Sequence, residues 1–108
     1  GLSMGGAHTL QNGLTHPELF RSIGVFSIPG GGEAYEKANN AALRQAPASL
    51  KLVYYAYGRE DFVVRNAGQL KATLDKYGIK LTLHETGGGH TWINWREYLN
   101  DFAPRRFK

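Results

Sequence analysis

No cysteine occurs in the 108-residue chain, so neither a disulfide framework nor a thiolate zinc site can be built from it. That absence allows an export compartment without implying one. Long apolar runs are missing too, and no stretch approaches the roughly 20 residues that a membrane helix needs. A strong excess of one charge is also lacking. Thirteen Lys and Arg against nine Asp and Glu leave +4. Much of that lies in Arg105-Arg106-Phe107-Lys108, and elsewhere the signs are mixed, which reads as solvated surface and not as a nucleic-acid footprint. There is no internal repeat, linker or low-complexity tract beyond two glycine triplets. Residue 1 is Gly, not Met, so the natural N-terminus is expected upstream, and no signal peptide is visible in these residues. What remains is ordinary: 42% hydrophobic and 20% charged residues, the balance of one small soluble globular domain.

The chain opens with Gly1-Leu2-Ser3-Met4-Gly5-Gly6, which fits the G-x-S-x-G pattern of a nucleophile elbow. There a serine sits on a sharp turn between strand and helix. The glycines two places either side are expected to lie too close to neighbouring chain for any side chain. The turn pushes the hydroxyl outward and leaves the Met4 N–H, at the start of the helix, aimed where an acyl oxyanion forms.

Apolar spacing and breakers order the rest of the chain. A helix is expected from Met4 to about Leu14, then a helical turn at Pro17–Phe20. Ser22–Ile28 reads as a strand buried on both faces, followed by an irregular Pro29–Gly32 loop. Glu33–Gln45 reads as one surface helix stopped by Pro47, and Leu50–Tyr57 as the second strand. After the turn Gly58–Asp61, Phe62–Tyr77 carries one apolar helix face that Gly78 ends. Ile79–Glu85 alternates, as does a strand with one wet face near a sheet edge, and Thr91–Phe102 reads as an amphipathic helix stopped near Pro104. Such alternation implies α/β architecture, with about three parallel strands and helices packed on them. Both glycine triplets follow strands, at the edge where open α/β sheets bind ligands.

Ser3, Asp61 and His90 each fall just past a strand position, in the order serine, acid, histidine of an α/β-hydrolase triad. Ser3 would be the nucleophile, His90 its base and then the acid for the leaving alcohol, and Asp61 the group holding the imidazole tautomer. Competitors exist for each role. His84 lies within the last strand and reads as a surface residue on its wet face, while His8 and His16 read as polar surface or packing. Glu60 adjoins Asp61 and has the same chemistry with a longer reach; Asp75 sits mid-helix. His84, Glu85 and His90 form no zinc spacing, so neither a metal nor a cofactor is expected. Trp92 and Trp95, three apart on a helix, read first as core packing. Trp92, two residues past His90, alternatively walls an acyl pocket, which Ile28 and Pro29 would also line.

Those motifs, with Leu14-Thr15-His16-Pro17-Glu18-Leu19-Phe20, Gly88-Gly89-His90-Thr91-Trp92, Trp95-Arg96 and Phe102-Ala103-Pro104, resemble the Putative esterase family of α/β hydrolases. Within it the similarity is greatest to feruloyl and acetyl-xylan esterases of carbohydrate esterase family 1. The resemblance implies Ser3 as nucleophile, Asp61 as acid, His90 as base and Met4 as one oxyanion donor. It implies an ester substrate linked to plant-cell-wall polysaccharide, no nucleic-acid or membrane partner, and a secreted or periplasmic location. In that family the elbow lies mid-domain, so residues 1–108 are expected to be the C-terminal half of one domain. Its partner would be the N-terminal half, or a second copy paired through the exposed sheet edge. Hydrolysis of S-formylglutathione or a siderophore ester, acyl transfer, and an inactive fragment are the alternative readings.

Overall fold

A computed structural model describes residues 1–28, 33–45 and 50–105. Pro47, expected to stop a helix, the pocket candidate Pro29 with its expected loop, and residues 106–108 of the basic tail lie outside them.

The elements follow in the order α1 (Ser3–Thr15), β1 (Ser22–Phe26), α2 (Glu33–Ala38), α3 (Asn40–Gln45), β2 (Leu52–Gly58), α4 (Val64–Lys76), β3 (Leu81–Thr86) and α5 (Trp92–Arg105). The three strands form a parallel sheet in the order β1-β2-β3, with Val25 opposite Tyr55 and Tyr55 opposite Leu83. Parallel pairing puts the C-terminal ends of all strands on one rim. The free side of β1 carries one more parallel bridge, Leu2 to Phe26, with Phe26 N–H donating to Gly1 O at 2.9 Å. Leu2 thus runs parallel beside β1 immediately before α1.

The sheet separates two apolar clusters. On one face Ile23, Val25, Val53, Tyr55 and Leu81 pack against Leu10 and Leu14 of α1, Leu43 of α3 and Leu70 and Leu74 of α4. On the other, Phe26, Tyr54 and Ala56 meet Tyr98 of α5, with Trp95 and Phe102 at the margin. Helices on both faces explain why β1 and β2 read as nearly continuous apolar runs. Three tyrosines are fully buried, and each hydroxyl is partnered: Tyr54 donates to Asp101 Oδ2 at 2.8 Å, Tyr55 to the Ile28 carbonyl at 3.3 Å, and Tyr98 shares a hydrogen bond of 3.0 Å with the Thr86 hydroxyl.

β2, α4 and β3 each start two residues later than expected, and three other boundaries differ for a local reason. The helix expected over residues 33–45 breaks at Asn39, whose side-chain amide donates to the Tyr35 carbonyl at 3.0 Å and so competes with the helical ladder. The strand expected to reach Ile28 stops at Phe26, because Ser27 takes a left-handed backbone with φ 52°. Helix α5 runs through Pro104 to Arg105. Proline offers no N–H to the Asn100 carbonyl, but Asn100 is exposed and water can serve that acceptor, while Arg105 pairs with Asp101 at 3.2 Å across the last turn.

One close approach fixes the rim. A side chain at Gly58, at the end of β2, would strike the carbonyl oxygen of Gly88 in the loop after β3. Gly58→Ala should therefore push backbone against backbone and lower stability by about 1–3 kcal/mol. Gly68→Ala, on α4 with open space around it, should raise stability by up to about 1 kcal/mol. Thermal melts of the two variants check both signs; a Gly58→Ala variant as stable as the wild type would contradict the packing described.

Candidate active site

Three loops converge at this rim. The first is the turn at Ser3, whose φ is 51°. A left-handed conformation costs an L-residue roughly 1–2 kcal/mol, and it persists here between the Leu2 bridge and the helix that Gly6 starts by donating its N–H to the Leu2 carbonyl at 2.9 Å. The glycines serve differently from the expectation. A side chain at Gly1 would meet the Gly5 carbonyl and Thr9, but Gly5 itself faces open space. Gly6 is the second crowded position, because its missing Cβ leaves room for Ile28. Ile28, named above as a candidate pocket residue, is correspondingly buried in the core below the turn.

The second loop presents Asp61, whose side chain is fully buried. Its backbone and carboxylate organise the start of α4: Val64 N–H donates to Asp61 O at 3.0 Å and Val63 N–H to Oδ1 at 3.1 Å. The third loop runs Gly87–Thr91. Asn94, buried on α5, gathers it by donating to the Gly87 carbonyl at 2.8 Å and accepting the Thr91 hydroxyl at 2.8 Å.

These loops bring the three residues of the sequence motif into line. His90 Nδ1 lies 3.1 Å from both Asp61 oxygens and His90 Nε2 lies 2.9 Å from Ser3 Oγ. A carboxylate only accepts, so Nδ1 carries the proton, and Nε2 presents a lone pair to the Ser3 hydroxyl. The arrangement can draw the Ser3 proton away while a buried negative charge balances the imidazolium. Met4 lies in the first turn of α1, where a helix has no internal acceptor for its N–H.

The competitors lie elsewhere. Glu60 is exposed, and Asp75 pairs with Lys71 at 2.6 Å on the surface of α4. His8 is exposed on α1, and His16 sits 3.5 Å from Glu18. His84 is not on a wet face: α5 covers it, with its ring 6.2 Å from that of Tyr54, Nδ1 3.6 Å from Asp101 and Nε2 3.9 Å from Glu97. Trp92 is 70% exposed and touches Trp95 at 5.2 Å. Two aromatic neighbours of His90 were not anticipated as site residues: Phe62, 4.6 Å away between ring centres, and Trp95, 5.0 Å away. Phe62 directly follows Asp61, a signal of sorts; nothing local marks Trp95. Among the described residues no group of three His, Asp or Glu could hold a metal ion, and no helix is long and apolar enough to cross a membrane.

A family model described as Putative esterase matches residues 1–105. The chain belongs to that esterase family. It is 30% identical to an acetyl esterase of Caldicellulosiruptor saccharolyticus, over 92% of this chain and 50% of the relative. A solved ferulic acid esterase superposes with a TM-score of 0.76 at 19% identity, over 97% of this chain and 48% of that one. The S-formylglutathione hydrolase of Staphylococcus aureus gives 0.80 at 17% identity, over 100% and 53%. The capsule O-acetyltransferase of Neisseria meningitidis serogroup A gives 0.75 at 18%, over 100% and 54%. The fold is that of the α/β hydrolases, and this member of the family spans about half the length of each of these relatives.

The cover that α5 gives His84 has a consequence for acid stability. Burial alone would raise the Asp101 carboxyl, but hydrogen bonds from Tyr54 and Arg105 and the nearby His84 hold it below its ordinary value. A depressed carboxylate contributes stability above its unfolded pKa of about 4 and loses it as pH falls through the folded value. Asp101→Asn should cost about 1 kcal/mol near neutrality, with the difference from wild type shrinking in acid. Urea unfolding at neutral and acid pH measures it; a gap that widens in acid would contradict the assignment.

Proposed function

We propose that these residues form the C-terminal half of a serine esterase domain that hydrolyses feruloyl or acetyl esters of plant-cell-wall polysaccharide through an acyl-enzyme. The observation that carries the reading is the unbroken line from Asp61 through His90 to Ser3 Oγ, with contacts of 3.1 and 2.9 Å. As Ser3 Oγ bonds to the ester carbonyl carbon, its proton passes to His90 Nε2. The carbonyl electron pair moves onto oxygen, facing the Met4 N–H. Collapse breaks the carbon–alcohol bond, and the leaving alcohol takes the proton from Nε2. Water then repeats the sequence with His90 as base, freeing the acid and restoring Ser3.

The acyl preference draws support from the likeness to the acetyl esterase and the ferulic acid esterase, and a polysaccharide substrate suits a secreted or periplasmic enzyme. The remaining half of the domain would continue the sheet beyond Leu2 and supply the second oxyanion donor. It would also cover Met4, Ile93 and Leu99, large apolar side chains left exposed on α1 and α5. A second copy paired along that edge is the competing occupant.

Initial rates on feruloyl and acetyl esters, in the full-length polypeptide carrying this chain, test the proposal. Asp61→Asn should leave the fold intact and lower kcat by about 10⁴-fold, because the amide favours the wrong imidazole tautomer. Faster turnover of S-formylglutathione, or transfer of the acyl group to a sugar hydroxyl in preference to water, would replace the substrate assignment. An Asp61→Asn variant with wild-type kcat would overturn the mechanism.

A further inference from the structure

His90 follows three glycines, so the residues before it supply no side chain to hold the ring, and the Thr91 hydroxyl after it is turned to Asn94. The contacts of Nδ1 with Asp61 and of Nε2 with Ser3 hold the two nitrogens but not the tilt of the ring about the line joining them. Restraint has to come from other elements, and two rings offer it. Phe62 is 72% exposed. Trp95 is half-buried, stands at 86° to the imidazole, and is tethered: its indole N–H donates to Ser27 Oγ at 3.2 Å.

Ser27 is an unusual place for a tether. It is fully buried, its φ is 52°, and its N–H donates to the Ala56 carbonyl at 2.8 Å, which locks it to the end of β2. Glycine would take this conformation without the steric strain that serine incurs. What glycine lacks is the hydroxyl that receives the indole.

We propose that Trp95 is a positioning residue for His90 and that the strained Ser27 is its anchor, so that the rigid sheet edge sets the angle at which the imidazole meets Ser3. The proposal rests on the reading of Ser3, His90 and Asp61 as an acyl-transfer triad. The strain at Ser27 then has a use: stability is given up locally to fix a ring that a glycine loop cannot fix.

The test uses the full-length polypeptide and a fluorophosphonate probe, with the bimolecular labelling rate of Ser3 as readout. Trp95→Phe keeps a ring but loses the N–H, and should slow labelling roughly 10-fold, a modest misplacement of a reacting group. Ser27→Gly should slow it similarly while leaving the melting temperature unchanged or raised, since the strain is relieved. That opposite movement of rate and stability is not what a merely structural role gives. In a His90→Ala background neither change should slow the residual reaction further. The downfield proton resonance of His90 Nδ1–H should broaden in Trp95→Phe. Labelling at the wild-type rate in both variants, or equal slowing with and without His90, overturns the proposal while the triad stands. A wild-type protein that does not label overturns both.

Discussion

A carboxylate fully withdrawn from water has to be matched by donors, and at Asp61 that requirement organises the whole rim of the sheet. One donor is the Val63 N–H, which starts α4; the other is His90 Nδ1, which arrives 29 residues later on the loop after β3. Satisfying the charge therefore ties two consecutive β–α connections together and selects the tautomer that leaves Nε2 facing Ser3. Gly58 makes the tie possible, because only an absent side chain lets the loop carbonyl of Gly88 come so near the end of β2. The negative charge that is costly to bury is the same charge that would steady an imidazolium during acyl transfer.

The remaining architecture serves the same alignment. Parallel strands deliver every C-terminal end to one side, and the Leu2 bridge adds the elbow to that row. The cluster between the sheet and α1, α3 and α4 supports Ser3 from below, while α5 on the opposite face carries Asn94 and Trp95 up to the histidine loop. Among the described residues other than glycine, left-handed backbone occurs at two serines, Ser3 at the turn into α1 and Ser27 under the indole. Both lie where the proposed chemistry depends on a fixed angle.

Much of this was legible beforehand because it is local. Glycine and proline punctuation marked the connections, apolar runs marked β1 and β2, and the spacing of Leu70 and Leu74 marked the buried face of α4. The order Ser3, Asp61, His90 named the residues that now lie within hydrogen-bond reach. What escaped notice depends on distant partners or on individual dihedrals. Trp95 meets Ser27 across 68 positions, and no periodicity reports that Ser27 would adopt positive φ. His84 alternates like a solvent-facing residue, yet α5 lies over it. Gly5 looked crowded along with Gly1, whereas the packing of Ile28 shows the second crowded position to be Gly6. Asn39 breaks a helix through a side-chain hydrogen bond that composition does not announce.

The central claim is that Ser3 is an activated nucleophile, and peptide mapping after fluorophosphonate treatment tests it most directly. The account predicts a stoichiometric adduct on the peptide containing Ser3, absent from Ser3→Ala and reduced by orders of magnitude in His90→Ala. A folded full-length protein whose Ser3 peptide remains unmodified, or whose adduct forms equally well without His90, would contradict it.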